Sequence, residues 1–424
     1  MGSADYMQKE LEGQVLHPET LMMGYGYSPA LSEGSLKPPI FLTSTFVFQS
    51  AQHGKDFFDI ASGRRVARPG ERTGLIYSRF NNPNLEMLED RIAVWDGAEK
   101  AAVFSTGMAS IATTLLAFLR PGDVLIYSRP IYGGSETLLL NQLTAFGVHA
   151  VGLADGIDPV CIRATVAEAE KQGPIGAFMV ETPGNPTNSL VDLAEMAIVA
   201  DEIASRQGKR PPVIVDNTML GPVHQKPLKA GADLVVYSLT KYAGGHSDLM
   251  AGGLCGPAAL VNKVVTMRSA LGTQLDPHTC WMLMRSLETL QLRFERSASN
   301  ALRVATFLRA HPRVLTVHYL GFLTDPATRA VFERQCEGAG ATFSFEVHGG
   351  EAMAFDMLDR LRLCKLAVSL GGTETLVSHP ASTTHSGVPR ALREQSGVTD
   401  GLIRISVGIE HPDDIIGDVS QALM

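Results

Sequence analysis

The stretch VVYSLTKYAGGHSDLMAGG, residues Val235–Gly253, joins a strand pattern to a lysine set among small hydroxyl residues. The β-branched apolar run 234–237 predicts a buried strand. Ser238, Thr240 and Lys241 follow where that strand ends, and small hydroxyls beside one amine suit an aldehyde that carries a phosphate. The alternative is a strand followed by a flexible turn with a surface lysine, because Ser, Thr and Gly are ordinary loop residues. This stretch alone leaves both interpretations open.

Length and composition predict a globular protein with one large and one smaller domain. The chain has 424 residues, of which 45% are hydrophobic and 19% charged, enough to bury a sizeable core. A net charge of −8 gives no support to binding of nucleic acid or an anionic membrane. The five dispersed cysteines show neither a CxxC motif nor a zinc spacing. We therefore expect reduced thiols, a cytoplasmic protein and no metal site.

Two segments bear on whether the chain has a signal peptide or a membrane span. Residues 1–14 are polar and lack the apolar core of a signal peptide. Residues 101–119 form an uncharged segment that is long enough to raise the possibility of a membrane helix. They contain Ser, Thr and Gly and end at Arg120-Pro121-Gly122. We interpret them as a strand that turns into a buried helix.

The order of apolar patterns predicts an α/β protein. Within residues 76–265, short apolar runs alternate with helical patterns, which is typical of a mostly parallel sheet covered by helices on both faces. Residues 266–424 begin with a long helical stretch, 277–308, and continue with strand patterns, which predicts a smaller α+β domain. Residues 1–75 are irregular apart from a strand-like run at 40–48, IFLTSTFVF.

Polar side chains follow the strands of the predicted sheet, and ligands of such sheets bind at the carboxyl ends of strands. Glu181, Asp216 and Lys241 all lie at such ends. A carboxylate at Asp216 is costly to bury unless it is paired, and a protonated pyridine nitrogen would pair with it. An Asp for a ring nitrogen and a Lys for an aldehyde are the protein side of pyridoxal phosphate chemistry. The turn Ser105–Met108, which opens a helix, adds backbone N–H groups suited to phosphate. An Asp that caps a turn and a surface Lys remain the alternative.

Eight ordered motifs make a resemblance specific. They are YSRFNNPN (77–84), STGMASI (105–111), IYGGS (131–135), ETPGNPT (181–187), VDNT (215–218), SLTKYAGGHSD (238–248), SLGGTETLVSHPASTTHS (369–386) and LIRISVGIE (402–410). Together they resemble the pyridoxal-phosphate-dependent Cys/Met metabolism family of cystathionine gamma-synthase, cystathionine gamma-lyase and methionine gamma-lyase. The resemblance runs from about residue 36 to residue 423. It implies the PLP-dependent transferase fold type I.

The resemblance implies a role for each matching residue around the cofactor. Lys241 would carry pyridoxal 5'-phosphate covalently as a Schiff base and move protons between Cα and Cβ of the substrate. Asp216 would hold the pyridinium proton. The remaining cofactor-binding residues implied are Tyr77, Arg79, Gly107, Met108, Tyr132, Glu181, Asn185, Thr218, Ser238 and Thr240.

The same resemblance implies how the substrate is held. Tyr132 would stack on the ring and act as an acid toward the group leaving Cγ. Arg404 would bind the substrate carboxylate bidentately, which Lys does poorly. Ser369, Asn185, Val368 and Tyr77 would complete the substrate site.

The resemblance also implies sites shared between subunits. Tyr77 and Arg79 would reach the phosphate of a neighbouring subunit, so the arm 1–75 is expected to extend to that neighbour. The resemblance implies a homotetramer built from dimers with shared active sites, which is consistent with this role of Tyr77 and Arg79.

The family's reactions divide between γ-elimination and γ-replacement, and the peripheral positions conflict. Val368 stands where cystathionine-handling members have Glu, which favours a substrate with an uncharged tail. Gly134 stands where methionine gamma-lyases have Cys, and Arg268-Ser269 where they have Lys-Asp. We expect methionine gamma-lyase-type α,γ-elimination that gives 2-oxobutanoate, ammonia and a thiol. The alternatives are γ-replacement on an activated homoserine, as in cystathionine gamma-synthase or homoserine sulfhydrylase, and cystathionine gamma-lyase activity.

An arginine-rich loop, residues 61–73, stays open to two interpretations. Arg64, Arg65, Arg68 and Arg72 suit a solvated surface loop, but they could also recognise an acidic leaving group such as succinate or phosphate.

Two other functional classes are disfavoured. A catalytically silent, cofactor-binding interaction protein would not need the full set of reactive residues, and no GxGxxG motif indicates a nicotinamide enzyme.

Overall fold

The computed structural model describes residues 6–68 and 74–424, so Arg72 of the arginine-rich loop lies outside the described residues. The N-terminal segment contains a short hairpin and two helices: β1 (Glu10–Leu11), β2 (Gln14–Val15), α1 (Pro18–Leu21) and α2 (Ala51–Ala61). The strand expected at 40–48 is wrong, since the pairing that this run shows is an isolated bridge between Thr45 and Tyr77. Val47 is 95% exposed. A strand needs a neighbouring backbone along its length to satisfy its N–H and C=O groups, and this run meets one only near Thr45 in the described part of the chain.

A seven-stranded sheet forms the centre of the large domain. Its strands are β3 (Lys100–Phe104), β4 (Val124–Ser128), β5 (His149–Leu153), β6 (Ile175–Glu181), β7 (Val213–Asp216), β8 (Leu234–Ser238) and β9 (Gly252–Gly256). They lie in the order β3-β9-β8-β7-β6-β4-β5. All pairs from β8 to β5 are parallel, so the expected mostly parallel sheet is confirmed.

Strand β9 is the element that the sequence patterns missed. Gly252 and Gly253 suggested a glycine-rich segment, but the chain there inserts antiparallel between β3 and β8. A Cβ on Gly252 would lie 2.1 Å from the carbonyl oxygen of Thr106. Glycine is therefore required where the sheet meets the turn after β3, and the same glycines weaken the strand pattern in the sequence.

Helices cover both faces of this sheet. They are α3 (Pro83–Asp96), α4 (Gly107–Phe118), α5 (Gly133–Thr137), α6 (Pro159–Ala169), α7 (Leu193–Gln207), α8 (Gly221–His224), α9 (Pro227–Ala230) and α10 (Ala258–Leu271). One core is formed with Ile111, Leu115 and Val264 from α4 and α10, and another with Ile162 and Val199 from α6 and α7. The uncharged stretch 101–119 is β3 followed by α4, as expected. Among the residues that the structure describes, no helix is long and apolar enough to cross a membrane.

The C-terminal part forms a second, smaller α+β unit. The predicted single helical stretch 277–308 is two helices, α11 (Pro277–Leu287) and α12 (Leu290–Arg309). They are followed by β10 (Val314–His318), α13 (Pro326–Gln335), β11 (Thr342–Val347), α14 (Gly350–Asp359), β12 (Lys365–Leu366), β13 (Leu376–Ser378), α15 (Arg390–Gln395), β14 (Leu402–Ser406) and α16 (Pro412–Ala422). The sheet order is β10-β11-β14-β13-β12, with antiparallel pairs except β12–β13.

Candidate active site

A cavity of about 700 Å³ opens at the carboxyl ends of the strands in the large sheet and reaches the C-terminal domain. It is lined by Thr106, Gly107, Met108, Ile111, Tyr132, Glu181, Asn185, Asp216, Thr218, Met219, Ser238, Thr240, Lys241, Met250, Val368, Ser369, Leu370, Thr383, Thr384 and Arg404. Every predicted site residue except Tyr77 and Arg79 lies in this set. Residues from both sheets therefore meet at one site.

Lys241 projects from the turn that follows β8. Its Nζ donates a hydrogen bond to the Ser369 hydroxyl at 2.8 Å, across 128 residues of sequence. Burial, followed by the charge of Arg404, lowers the pKa of Lys241 to about 8. A lysine with a lowered pKa holds more of its neutral, nucleophilic amine near neutral pH.

Asp216 ends β7 and pairs in register with Glu181 on β6. Its Oδ1 accepts hydrogen bonds from the backbone N–H of Thr218 at 3.0 Å and from the Thr218 hydroxyl at 2.6 Å. The Thr218 hydroxyl in turn accepts from the Ser238 N–H at 2.9 Å, which ties β7 to β8. Burial raises the pKa of Asp216, because a carboxylate in this position has lost its water. A cationic ring nitrogen would offset that cost.

The turn between β3 and α4 forms a seat for an anion. The Thr106 hydroxyl caps α4 by accepting from the Ala109 N–H at 2.9 Å. A Cβ on Gly107 would lie 2.8 Å from the Cβ of Ser238, so glycine keeps the helix start close to β8. The first turn of α4, Ser238 and Thr240 line this corner of the cavity, and the Thr240 hydroxyl is held by the backbone of Ala251. The amine, the carboxylate and the anion seat together fit the aldehyde, ring nitrogen and phosphate of pyridoxal phosphate.

Arg404 forms the substrate side of the cavity from the middle of β14. It is 3% exposed; one guanidinium nitrogen donates to Asn185 Oδ1 at 3.0 Å and the other to the Ser369 carbonyl at 2.8 Å. Burial lowers its pKa to about 10, so it stays cationic at neutral pH. Ser369 has a φ of 91°, a left-handed conformation that non-glycine residues rarely adopt. Such strain is retained where surrounding contacts enforce it.

Tyr132 and Val368 border the open side of the cavity. The Tyr132 side chain is 38% exposed, and its backbone N–H donates to Glu181 Oε2 at 2.6 Å. Gly134 permits this ring position, because a Cβ there would lie 2.6 Å from the ring. Val368 is 55% exposed within the single chain. Both side chains are thus available to a substrate.

Tyr77 and Arg79 lie outside the cavity of their own chain. Tyr77 is exposed, while Arg79 donates to the Ser269 carbonyl and lies over the ring of Phe80. Their expected role at a neighbouring subunit stays a prediction. Arg268 does not present its charge to the cavity either, since it is buried against Glu89 and the Val103 carbonyl.

The arginine-rich loop has partners on its own helix. Arg64 donates to Asp59 at 2.7 Å, and Arg65 lies 3.8 Å from Asp56. Both carboxylates belong to α2, so these arginines help to hold the loop against that helix. This favours the surface-loop interpretation, and recognition of an acidic leaving group stays a prediction.

Several residues that line the cavity were not predicted from the sequence: Ile111, Met219, Met250, Leu370, Thr383 and Thr384. Thr383 and Thr384 lie within the motif 369–386, so that motif was the available signal. The Thr384 carbonyl comes so close to Gly133 that a Cβ there would lie 1.9 Å away. The apolar residues carry no signal of their own, because in sequence they look like core.

The lowered pKa of Lys241 predicts a pH dependence of stability in the cofactor-free protein. Between about pH 8 and 10.5 the native lysine is neutral, whereas the unfolded one is still protonated. The unfolded state then binds more protons, so the contribution of Lys241 to stability increases as pH rises through this window. In urea unfolding, Lys241→Met should stabilise the cofactor-free protein below pH 8 and lose that advantage toward pH 10.5. An advantage that does not change with pH would contradict the assignment.

Comparison with known proteins places these motifs in context. Residues 19–424 match the model of the Cys/Met metabolism PLP-dependent enzymes. L-methionine gamma-lyase of Fusobacterium nucleatum subsp. polymorphum is 39% identical over 393 residues, covering 92% of this chain and 94% of that protein. O-succinylhomoserine sulfhydrylase of Pseudomonas aeruginosa is 32% identical over 421 residues, covering 99% of this chain and 98% of that protein. The crystal structure of cystathionine gamma synthase from Xanthomonas oryzae pv. oryzae superposes with a TM-score of 0.84 at 34% identity, covering 96% and 98%.

Proposed function

The chain belongs to the Cys/Met metabolism family of PLP-dependent enzymes, and from this premise we propose that it catalyses methionine gamma-lyase-type α,γ-elimination. The enzyme uses pyridoxal phosphate and is a C–S lyase or γ-replacement enzyme of sulfur amino-acid metabolism. In the proposed reaction, methionine and water give 2-oxobutanoate, ammonia and methanethiol. The products contain every atom of the reactants, so no oxidant or reductant is needed.

The observation that carries this proposal is the distribution of charge in the cavity. Among the lining residues that the structure describes, the charged ones are Glu181, Asp216, Lys241 and Arg404. Lys241, Asp216 and Arg404 have positions that suit the cofactor or the α-carboxylate, and Glu181 binds two backbone N–H groups. The wall next to Ser369 is formed by Val368 and Leu370, with Met219 and Met250 also lining the cavity. A thioether tail suits such a wall, whereas a distal ammonium or carboxylate would lose its hydration without a partner.

The mechanism follows from the groups that surround the substrate. Pyridoxal phosphate, held by Lys241, Asp216, Ser238 and the start of α4, supplies an electron sink for negative charge that develops on the amino acid. Arg404 fixes the α-carboxylate and so orients the Cα–H bond toward Lys241. Nζ of Lys241, freed when the substrate amine takes its place, would take the proton from Cα and pass it to the conjugated system that the cofactor supplies. Neutral again, it would then take a proton from Cβ. The Tyr132 hydroxyl donates a proton to the sulfur that leaves Cγ.

We propose that a second subunit completes this site through the arm 1–75, Tyr77 and Arg79. The described part of the arm supports this by exposing large apolar side chains, among them Leu31, Leu36 and Val47. Apolar surface of this kind marks a surface that pairs with another protein. A homotetramer built from such dimers is the assembly we propose.

A second candidate function is γ-replacement on an activated homoserine. The sulfhydrylase relative that aligns over 99% of this chain favours it, and the same lysine, tyrosine and arginine would serve it. The two differ in whether water or a thiol completes the reaction. Cystathionine gamma-lyase activity is the third candidate and would require a substrate with a distal ammonium group.

An elimination assay separates these candidates. The purified enzyme, loaded with pyridoxal phosphate, is given methionine alone, and 2-oxobutanoate is measured. We expect product to accumulate without any added thiol. If methionine gave none, while O-succinylhomoserine and cysteine gave a thioether, the γ-replacement assignment would be correct instead. Cystathionine alone tests the third candidate.

We expect Val368→Glu to change substrate preference. A carboxylate on this wall would be desolvated beside a thioether, but it would pair with the distal ammonium of cystathionine. The variant should lower kcat/KM for methionine by about 10-fold and raise it for cystathionine. Leu366→Glu is the matched control, because Leu366 is equally exposed two residues earlier and does not line the cavity. Equal effects of the two substitutions would remove Val368 from the specificity assignment.

A further inference from the structure

Glu181 is a buried carboxylate whose two oxygens bind two different segments of backbone. Its Oε2 accepts from the Tyr132 N–H at 2.6 Å, and its Oε1 accepts from the Asn185 N–H at 3.0 Å. The residue is 3% exposed and ends β6. Tyr132 precedes α5, whereas Asn185 lies in the loop after β6. One side chain therefore joins the segment that carries the proposed acid to the segment that contacts Arg404.

The hydrogen bonds continue from Asn185 to Lys241. The Asn185 side chain accepts from Arg404 at 3.0 Å, and Arg404 donates to the Ser369 carbonyl at 2.8 Å. The Ser369 hydroxyl then accepts from Lys241 Nζ at 2.8 Å. This series of hydrogen bonds thus starts at Tyr132 and ends at Lys241, and Arg404 lies between them. The guanidinium has further N–H donors, so a carboxylate that binds Arg404 would join the same network as Asn185 and Ser369.

We propose that Glu181 is a positioning residue that holds the backbones of Tyr132 and Asn185 as one unit, so that carboxylate binding at Arg404 is coupled to the placement of Tyr132. The inference rests on the proposed function for the role of Tyr132 as an acid. The coupling itself rests on the hydrogen bonds alone. A proton donor displaced by about 1 Å loses much of its effect, so a bond to its backbone matters for the rate.

The two bonds require a carboxylate at this position. Each oxygen of a carboxylate accepts, whereas an amide offers one acceptor and one NH₂ donor. In Glu181→Gln the NH₂ group would face a backbone N–H, either that of Tyr132 or that of Asn185. Burial and then the neighbouring Asp216 raise the pKa of Glu181 well above its usual value, although the two N–H donors and Arg404 act in the opposite direction. The two N–H donors, one to each oxygen, are the contacts that favour the carboxylate form. The substitution keeps the shape of the side chain and changes only this pattern of donors and acceptors.

Glu136→Gln is a matched control. Glu136 is also buried, lies on α5 four residues after Tyr132, and contacts Tyr127 and Arg129. It does not line the cavity. Both variants therefore replace a buried carboxyl group by an amide near the same helix, but only Glu181→Gln interrupts the bonds to Tyr132 and Asn185.

The test combines amide hydrogen exchange with steady-state kinetics on the holoenzyme. In Glu181→Gln, peptides that contain Tyr132 and Asn185 should both exchange at least about 10-fold faster. The kcat of the Glu181→Gln enzyme should fall by roughly 10- to 100-fold, because the acid acts in the transition state. Its KM should change by less than about threefold. Glu136→Gln should leave both exchange rates unchanged. Unchanged exchange at either segment in Glu181→Gln would overturn the proposal.

A second measurement uses the wild-type enzyme and needs no variant. Norleucine has the carboxylate and chain length of methionine but no sulfur to eliminate. Its binding should slow exchange at Tyr132 and Asn185 together, and protection of Asn185 alone would overturn the coupling. Because exchange does not depend on product formation, an enzyme that fails to eliminate methionine would refute the proposed function while this measurement still decides the inference.

Discussion

Lys241→Ala is expected to abolish turnover and covalent attachment of the cofactor. The lysine holds the cofactor and moves the substrate protons, so its loss removes both nucleophilic and general-base catalysis. Rate loss should be on the order of 10⁴-fold or more. Borohydride reduction followed by intact-mass measurement should show the cofactor retained on the wild type and absent from the variant. The Ser369 hydroxyl accepts a hydrogen bond from this amine at 2.8 Å and would lose that partner, but the variant should still fold.

Lys226→Ala is the matched control for that result. Lys226 is a partly buried lysine of the same domain, donates to the Trp95 carbonyl, and does not line the cavity. It should retain the cofactor and the rate. Cofactor fixed by borohydride in Lys241→Ala would show that another amine forms the attachment and would refute the central assignment.

Arg404→Lys is expected to give the next largest effect, through substrate binding and orientation. The guanidinium is buried and already holds Asn185 and Ser369 with separate nitrogens, a geometry that a single ammonium cannot reproduce. Breaking a buried charge-assisted contact costs about 3–5 kcal/mol, which corresponds to a loss in kcat/KM of roughly 10²- to 10⁴-fold. The loss should be measured with methionine under steady-state conditions.

A substrate without the α-carboxylate identifies the contact. Methionine amide should be a poor substrate for the wild type, and Arg404→Lys should reduce the difference between acid and amide. Arg393→Lys serves as the control, because Arg393 is a buried arginine of the same C-terminal domain that pairs with Asp400 outside the cavity. Full discrimination between acid and amide in Arg404→Lys would place carboxylate recognition elsewhere.

Local patterns in the chain were sufficient to predict the α/β core and the cofactor-binding strand ends. A strand such as β8 is a short β-branched run, and Lys241 follows it directly, so sequence neighbours fix both the element and the position of its side chain. In the same way, Asp216 ends β7 and Gly107 comes shortly after β3. The glycine-rich strand β9 lacks a strand pattern in its sequence. The run 40–48 has a strand pattern, but in the described chain it forms an isolated bridge and not a strand. These two failures share a cause, since each depends on what the rest of the structure places alongside.

Sequence by itself determined the family, the cofactor and the residues that meet at the site, because those depend on residue types in ordered motifs. Only the tertiary structure decided how they are connected. Arg404 and Asn185 are 219 residues apart, and Lys241 and Ser369 are 128 apart. The bridge that Glu181 makes between Tyr132 and Asn185 likewise depends on where β6 ends beneath two loops. Distances between residues so far apart are set by the packing of the two sheets, which no local pattern encodes.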